Sequence, residues 1–448
     1  MALMRISPRR IVLLIRIARV SQARWLRRLL FWIGALLVAV AAILLASWAD
    51  SAQHAYFWVI RQAATHGLGF LPAFVVTPLG LMVSLLLTRK VFPGAQGSGI
   101  PQAIAALRMR NPETIRAVLS LRIAFGKILL TLLGLACGAS IGREGPTVQV
   151  GAALMFNIGF LLRNPGRDLQ RALILAGGAA GIAAAFNTPL AGVMFAVEEM
   201  AGSFEARTSG TTLTAVIVAG IATLALVGNY TYFGSTAADL AIGPAWLAVL
   251  LCGVVGGAAG GLFAFTLLHF TAGLPGALGH WIARRPMLFA ASCGLVLALI
   301  AWASDGRTSG TGYAVARAVI EGRASVPWNY PFLKFAATVV SYISGIPGGI
   351  FAPSLSVGVG FGALLAPLVP SASPAAMALL GMVGYFAGAV QAPITAAVIV
   401  MEMTSNQAMT VPLLATAMVA FGVSRLICRR SLYGALADRF LVATESRS

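Results

Sequence analysis

The sequence predicts an all-α integral membrane protein, and three observations carry that prediction. Hydrophobic residues make up 59% of 448 positions and charged residues 10%, far below the roughly 25% charged content of soluble domains. The apolar runs are long and continuous, whereas barrel strands alternate over about ten residues. The 49 glycines and 21 prolines fall inside those runs as well as between them, so many helices are expected to be broken.

The net charge of +19 would suggest nucleic acid in a soluble protein. Here the basic residues sit at the ends of apolar runs and in short loops. That distribution fits the positive-inside rule and contact with anionic headgroups, and it excludes nucleic acid as a partner. The four cysteines, Cys137, Cys252, Cys293 and Cys428, are widely spaced and show no C-x-x-C pattern. They read as small packing residues rather than a disulfide framework or a metal site. No cofactor is expected.

Residues 1–28 carry eight arginines and no acid. Apolar residues interleave with them, which reads as a basic amphipathic helix on the cytoplasmic face. Residues 29–448 form the membrane-spanning domain, with apolar stretches at 29–49, 68–88, 123–141, 172–201, 211–228, 244–268, 287–303, 331–346, 350–370, 375–401 and 409–427. Several are too short or too interrupted for a simple span of about 20 residues. Five arginines follow from Arg425 onward, so both termini are expected in the cytoplasm. Only some twenty residues follow the last run, with no appended regulatory domain expected.

An internal repeat is legible. Phe186–Glu198 answers Val390–Glu402, with Pro189 and Pro393, Glu198 and Glu402, and Gly177 and Gly381 each 204 positions apart. Upstream, Gly142–Pro146 answers Gly349–Pro353 at an offset of 207. The two repeats are placed at about 68–205 and 244–430. Broken helices at corresponding places in two halves point to a transporter with its site near the midplane.

Nine of the 13 acids flank apolar runs or lie in loops, but Glu144, Glu198, Glu199 and Glu402 lie within apolar, Gly-rich segments. An ionised carboxylate there costs at least about 2.5 kcal/mol, so each is protonated, paired or functional. Three Gly-rich, Pro-terminated breaks accompany them: Gly97-Ser98-Gly99-Ile100-Pro101, Gly142-Arg143-Glu144-Gly145-Pro146 and Gly348-Gly349-Ile350-Phe351-Ala352-Pro353. Pro suits a first helical turn, and the free amides beside it favour an anion. Three such breaks could aim three helix N-termini at one place. Neutral dipoles attract an anion without trapping it, and transport needs weak, multi-site binding.

These three motifs, in this order and spacing, resemble the signatures of the CLC chloride channels and transporters. The resemblance runs from about residue 68 to 440. It implies a CLC-type fold with two inverted-topology repeats of broken and tilted helices, and a homodimer with one pore inside each subunit. It also implies an inner-membrane, multi-pass protein that moves chloride and protons across the bilayer. Ser98 matches the serine whose hydroxyl contacts the central anion, and Ile350 and Phe351 match residues offering backbone amides to the same ion. Tyr433 matches the tyrosine that completes that site; without the resemblance it would read as an interfacial tyrosine beside Arg429 and Arg430. Glu144 matches the gating glutamate, whose carboxylate occupies an anion site when ionised and leaves when protonated. Glu199 matches the internal proton-relay glutamate of exchangers, a position where the family's channels usually lack an acid. Lys127 matches an inner lysine that raises the anion potential, although snorkelling or simple pairing fits it equally. The pattern departs at Ile104, where some bacterial exchangers carry an acid, so the inner proton path is left open.

Secondary active chloride/proton exchange is therefore expected, with a passive channel of the same fold as the nearest rival. Nitrate and fluoride variants depart from Ser98 and are disfavoured. The protein is not expected to be an enzyme. An intramembrane hydrolase built on Ser98 would need G-x-S-x-G, but residues 96 and 100 are Gln and Ile, and no H-E-x-x-H occurs in the sequence.

Overall fold

A computed structural model describes residues 8–162, 165–202, 206–228 and 231–445. Among these, the chain forms nineteen α-helices with short 3-10 and π turns and no extended strand. Among the described residues, nine helical stretches are long and apolar enough to cross a membrane.

The first helix runs unbroken from Pro8 to Thr65. A basic helix over 1–28 on the cytoplasmic face was expected; residues 1–7 lie outside the described residues, and from Pro8 the helix continues straight into the first span. No Gly or Pro lies between Arg9 and Ile33, so nothing breaks it. Its 58 residues extend about 87 Å at 1.5 Å per residue, far beyond the roughly 30 Å hydrocarbon core.

The two longest apolar stretches are split at equivalent places. Residues 172–201 divide into Arg167–Phe186, Pro189–Phe195 and a π-helical turn at Ala196–Ala201. Residues 375–401 divide into Pro374–Val390 and Pro393–Met403. Asn187 (φ 57°, ψ 40°) and Gln391 (φ 64°, ψ 36°) end the first helix of each set in the left-handed conformation. Thr188 (φ −130°, ψ 83°) and Ala392 (φ −124°, ψ 79°) then turn into the prolines. The backbone thus repeats at the offset of 204 that the sequence shows.

Packing repeats as well. Helix Glu144–Ile158 lies against Arg167–Phe186, and Phe351–Leu365 against Pro374–Val390. Each pair meets at glycines. A Cβ on Gly151 would stand 2.3 Å from the carbonyl oxygen of Gly177, and one on Gly358 would stand 2.6 Å from that of Gly381. Backbone approach this close needs a residue without a side chain.

The two halves clasp each other. The Glu198 carboxylate accepts hydrogen bonds from the amides of Ile394 (3.2 Å) and Thr395 (2.6 Å) in the second half. The Glu402 carboxylate accepts from Leu190 (3.1 Å) and Ala191 (2.7 Å) in the first. Each helix starts with proline and has no side-chain cap of its own, so the other half supplies the acceptor for its free N–H groups. A reciprocal exchange of this kind is what a two-fold relation between two similar units produces. Hydrogen bonds to a charged partner are worth roughly 1.5–3 kcal/mol. Glu198→Ala and Glu402→Ala should therefore destabilise the fold by similar amounts, each by about that range. Thermal unfolding in detergent reads this; a large loss in one variant and none in the other would contradict the reciprocal clasp.

Candidate functional site

The three Gly-rich breaks meet. Gly348 N donates to Gly97 O at 3.1 Å. Gly142 and Gly349 exchange two backbone hydrogen bonds, at 2.6 and 2.8 Å. These bonds tie the starts of helices Ile100–Arg108, Glu144–Ile158 and Phe351–Leu365 to one point inside the protein. Lys127 is buried and donates to Gly97 O at 2.7 Å and Gln96 O at 3.4 Å. Its Nζ holds the loop that leads into Ser98.

Ser98 and Tyr433 are both buried, and neither hydroxyl has a hydrogen-bond partner in the protein. They are neighbours, since Ser98 is among the polar groups acting on the Tyr433 phenol. Ser98 also presses on the Glu144 helix, where a Cβ on Gly145 would stand 2.4 Å from its Oγ. Two buried donors without partners are costly unless something accepts from them. Ile350 and Phe351, also buried, form the N-cap and first residue of their helix, where backbone N–H groups lack intrahelical acceptors. Phe351 is fixed by ring contacts with Phe186 (5.1 Å) and Phe386 (4.2 Å).

Glu144 is fully buried at the first position of its helix. Its Oε2 accepts from Ala352 N at 3.3 Å, and its Oε1 accepts from the Tyr313 hydroxyl. The carboxylate therefore sits between the N-termini of two helices. Beside it, the buried Arg143 guanidinium donates to Asp50 (2.9 Å) and to Ala46 O (2.5 Å). It also lies over the rings of Tyr232 (4.9 Å) and Tyr313 (5.4 Å).

Glu199 lies elsewhere, in the π-helical turn Ala196–Ala201. It borders a cavity of about 530 Å³ whose walls include Arg27, Arg108, Asp168 and Arg171. The charges of Glu198 and Arg108 act on it. Ile104 is buried and adds no polar group to this path. Sequence reasoning missed Tyr313, Tyr232 and the Arg143–Asp50 pair. Tyr313, Tyr232 and Asp50 stand in no motif, and Tyr313 reaches Glu144 across 169 positions. Among the described residues, no cluster of His, Cys, Asp or Glu is arranged to hold a metal ion.

Residues 79–425 match the family model described as "Voltage gated chloride channel". The chain belongs to this family. The H(+)/Cl(-) exchange transporter ClcA of Yersinia pestis bv. Antiqua (strain Angola) is 32% identical over 419 residues, covering 88% of this chain and 84% of that relative. ClcA of Salmonella paratyphi A (strain ATCC 9150 / SARB42) is 31% identical over 433 residues, covering 92% and 87%. Among solved structures, a slow cyanobacterial Cl-/H+ antiporter superposes with a TM-score of 0.77 at 26% identity, over 92% of this chain and 98% of that one. A CLC-type fluoride/proton antiporter superposes with a TM-score of 0.75 at 24% identity, over 91% and 97%, a likeness of fold alone. The CLC assignment makes this a multi-pass membrane protein of a transport family and leaves no ground for the hydrolase reading.

Proposed function

We propose that this chain is a secondary active chloride/proton antiporter. The observation that carries the proposal is the seat of Glu144: a carboxylate held by a backbone amide and a phenol between two helix N-termini, where a transported anion would also be held. An ionised Glu144 competes with chloride for that seat, and a protonated one leaves it. One side chain thereby links proton and anion. Curated relatives named H(+)/Cl(-) exchange transporter support exchange over passive conduction. So does Glu199, an acid beside a separate cavity.

In this reading Ser98 and Tyr433 donate their hydroxyls to a central chloride, and the amides of Ile350 and Phe351 complete its shell. The buried, partnerless hydroxyls of Ser98 and Tyr433 support it. Glu144 is the gate, and Glu199 is the relay that exchanges protons with the cytoplasm through the cavity it borders. The protein works as a homodimer in the cell inner membrane, each subunit with its own pore and both termini in the cytoplasm. Its transport domain, 29–448, consists of two halves centred on residues 68–205 and 244–430, preceded by the basic segment 1–28.

The test is the reversal potential of the purified protein in liposomes, measured under a proton gradient at fixed chloride. An exchanger's reversal potential moves with the proton gradient. A passive chloride channel stays at the chloride equilibrium potential, and that result would replace exchange with conduction.

A further inference from the structure

We infer that Tyr313 is a positioning residue of the transport cycle, a latch whose phenol holds the gate carboxylate in its closed seat. The inference rests on the exchange reading for its meaning and on the geometry around Glu144 for its substance. The Tyr313 hydroxyl donates to Glu144 Oε1, while Ala352 N takes the other oxygen. Both groups are buried. A phenol donates to a carboxylate but gains little from a neutral carboxyl at the same place, so this bond favours the ionised, seated gate.

The rest of the neighbourhood fixes the phenol in place. Tyr313 opens helix Tyr313–Ile320 directly after Gly312, whose φ of 84° makes the turn that starts the helix. The preceding loop is pinned from three directions. Gln53 Oε1 accepts from Thr311 N at 3.1 Å, and Gly310 N donates to Ala139 O at 3.1 Å. The buried Lys334 Nζ donates to Thr308 O and Gly310 O, both at 2.8 Å. The Tyr313 ring packs on Tyr232 (5.2 Å) and Phe233 (5.0 Å). Arg143 lies over it as well, 5.4 Å from the ring centre.

The titratable and charged groups around the gate are therefore Tyr313 from its own helix, Arg143 from the gate's own junction, and Asp50 paired to Arg143 from the first helix. Tyr232 comes from the segment before the second half, and Tyr433 acts on the gate from deeper in the protein. Arg143 and Tyr313 act in the same sense, favouring the charged carboxylate against the burial that disfavours it. Tyr313 also gives it a direction, as Ala352 N does at the other oxygen, whereas Arg143 Nη1 is turned to Asp50 and Ala46 O.

The experiment uses Tyr313→Phe, which keeps the ring and its packing and removes only the hydroxyl. Chloride efflux from proteoliposomes is measured against pH for wild type, Tyr313→Phe, Glu144→Gln and the double variant. Losing the donor lets Glu144 keep its proton to higher pH. The midpoint of acid activation should rise by about one pH unit, a tenfold gain in proton affinity. The double variant should match Glu144→Gln in rate and in its flat pH profile. A midpoint unchanged in Tyr313→Phe would overturn the latch. A double variant that passes chloride much more slowly than Glu144→Gln would also overturn it, by showing a role in the fold rather than in the gate. Because the midpoint is read from chloride alone, the latch is judged even if wild type moves no protons, a result that would sink only the exchange reading.

Discussion

Glu144→Gln should leave chloride flux in place, abolish proton movement and flatten the pH dependence of transport. Glutamine keeps the shape of a protonated glutamate but has no charge. It cannot act as an anion in the seat between Ala352 N and Tyr313, so chloride meets no competitor there. Nor can it pick up or release a proton, which breaks coupling at its one shared position. In wild type, flux should rise as pH falls, because protonation empties the seat. The variant should run at its high rate throughout. Paired recordings of chloride efflux and proton uptake from the same vesicles give the answer. Retained proton uptake in Glu144→Gln would remove the residue from the coupling step.

Glu199→Gln should give a different phenotype: proton movement falls to the leak of empty vesicles, yet the acid activation of chloride flux persists. The two acids are set in different surroundings. Glu144 is buried among helix N-termini, whereas Glu199 borders a cavity shared with Arg27, Arg108 and Asp168. Losing the second acid cuts proton supply to the gate from that side and leaves the gate itself intact. If Glu199→Gln still pumps normally, the relay must run through another group. Glu198 and Glu402 are poorly placed for it, because both carboxylates are engaged in capping the opposite half. Asp168, on the wall of the same cavity, would be the next residue to test.

What was legible in the sequence is local. The three Gly-rich breaks, the Pro189 and Pro393 starts and the offset of 204 are short-range patterns. A short-range pattern reports backbone geometry directly, through missing side chains and missing N–H groups. The structure places each break where those patterns put it. The placing of four acids within apolar runs was equally readable, since charge in such a run is conspicuous; of these Glu144 is fully buried and Glu198, Glu199 and Glu402 are partly buried. What was not readable is which group answers each acid. Glu198 finds its partners 196 and 197 positions away. Tyr313 looks in sequence like any tyrosine after a Gly-rich loop, and its hydroxyl becomes meaningful only once that loop is tied to Gln53, Ala139 and Lys334. The continuity of helix Pro8–Thr65 through its start is local too, since no Gly or Pro falls between Arg9 and Ile33 to break it.

The central claim is coupling, and the most direct measurement is uphill proton transport by the wild-type protein. Liposomes loaded with high chloride are diluted into low chloride at equal pH on both sides, with external pH followed as chloride leaves. Each unit charge moved is worth about 2.3 kcal/mol per 100 mV, so the membrane potential is clamped with potassium and valinomycin to leave chloride as the only drive. The account predicts that protons enter the vesicles against the gradient they build, and that Glu144→Gln abolishes this uptake while chloride still leaves. Wild-type vesicles that release chloride with no proton uptake would contradict it.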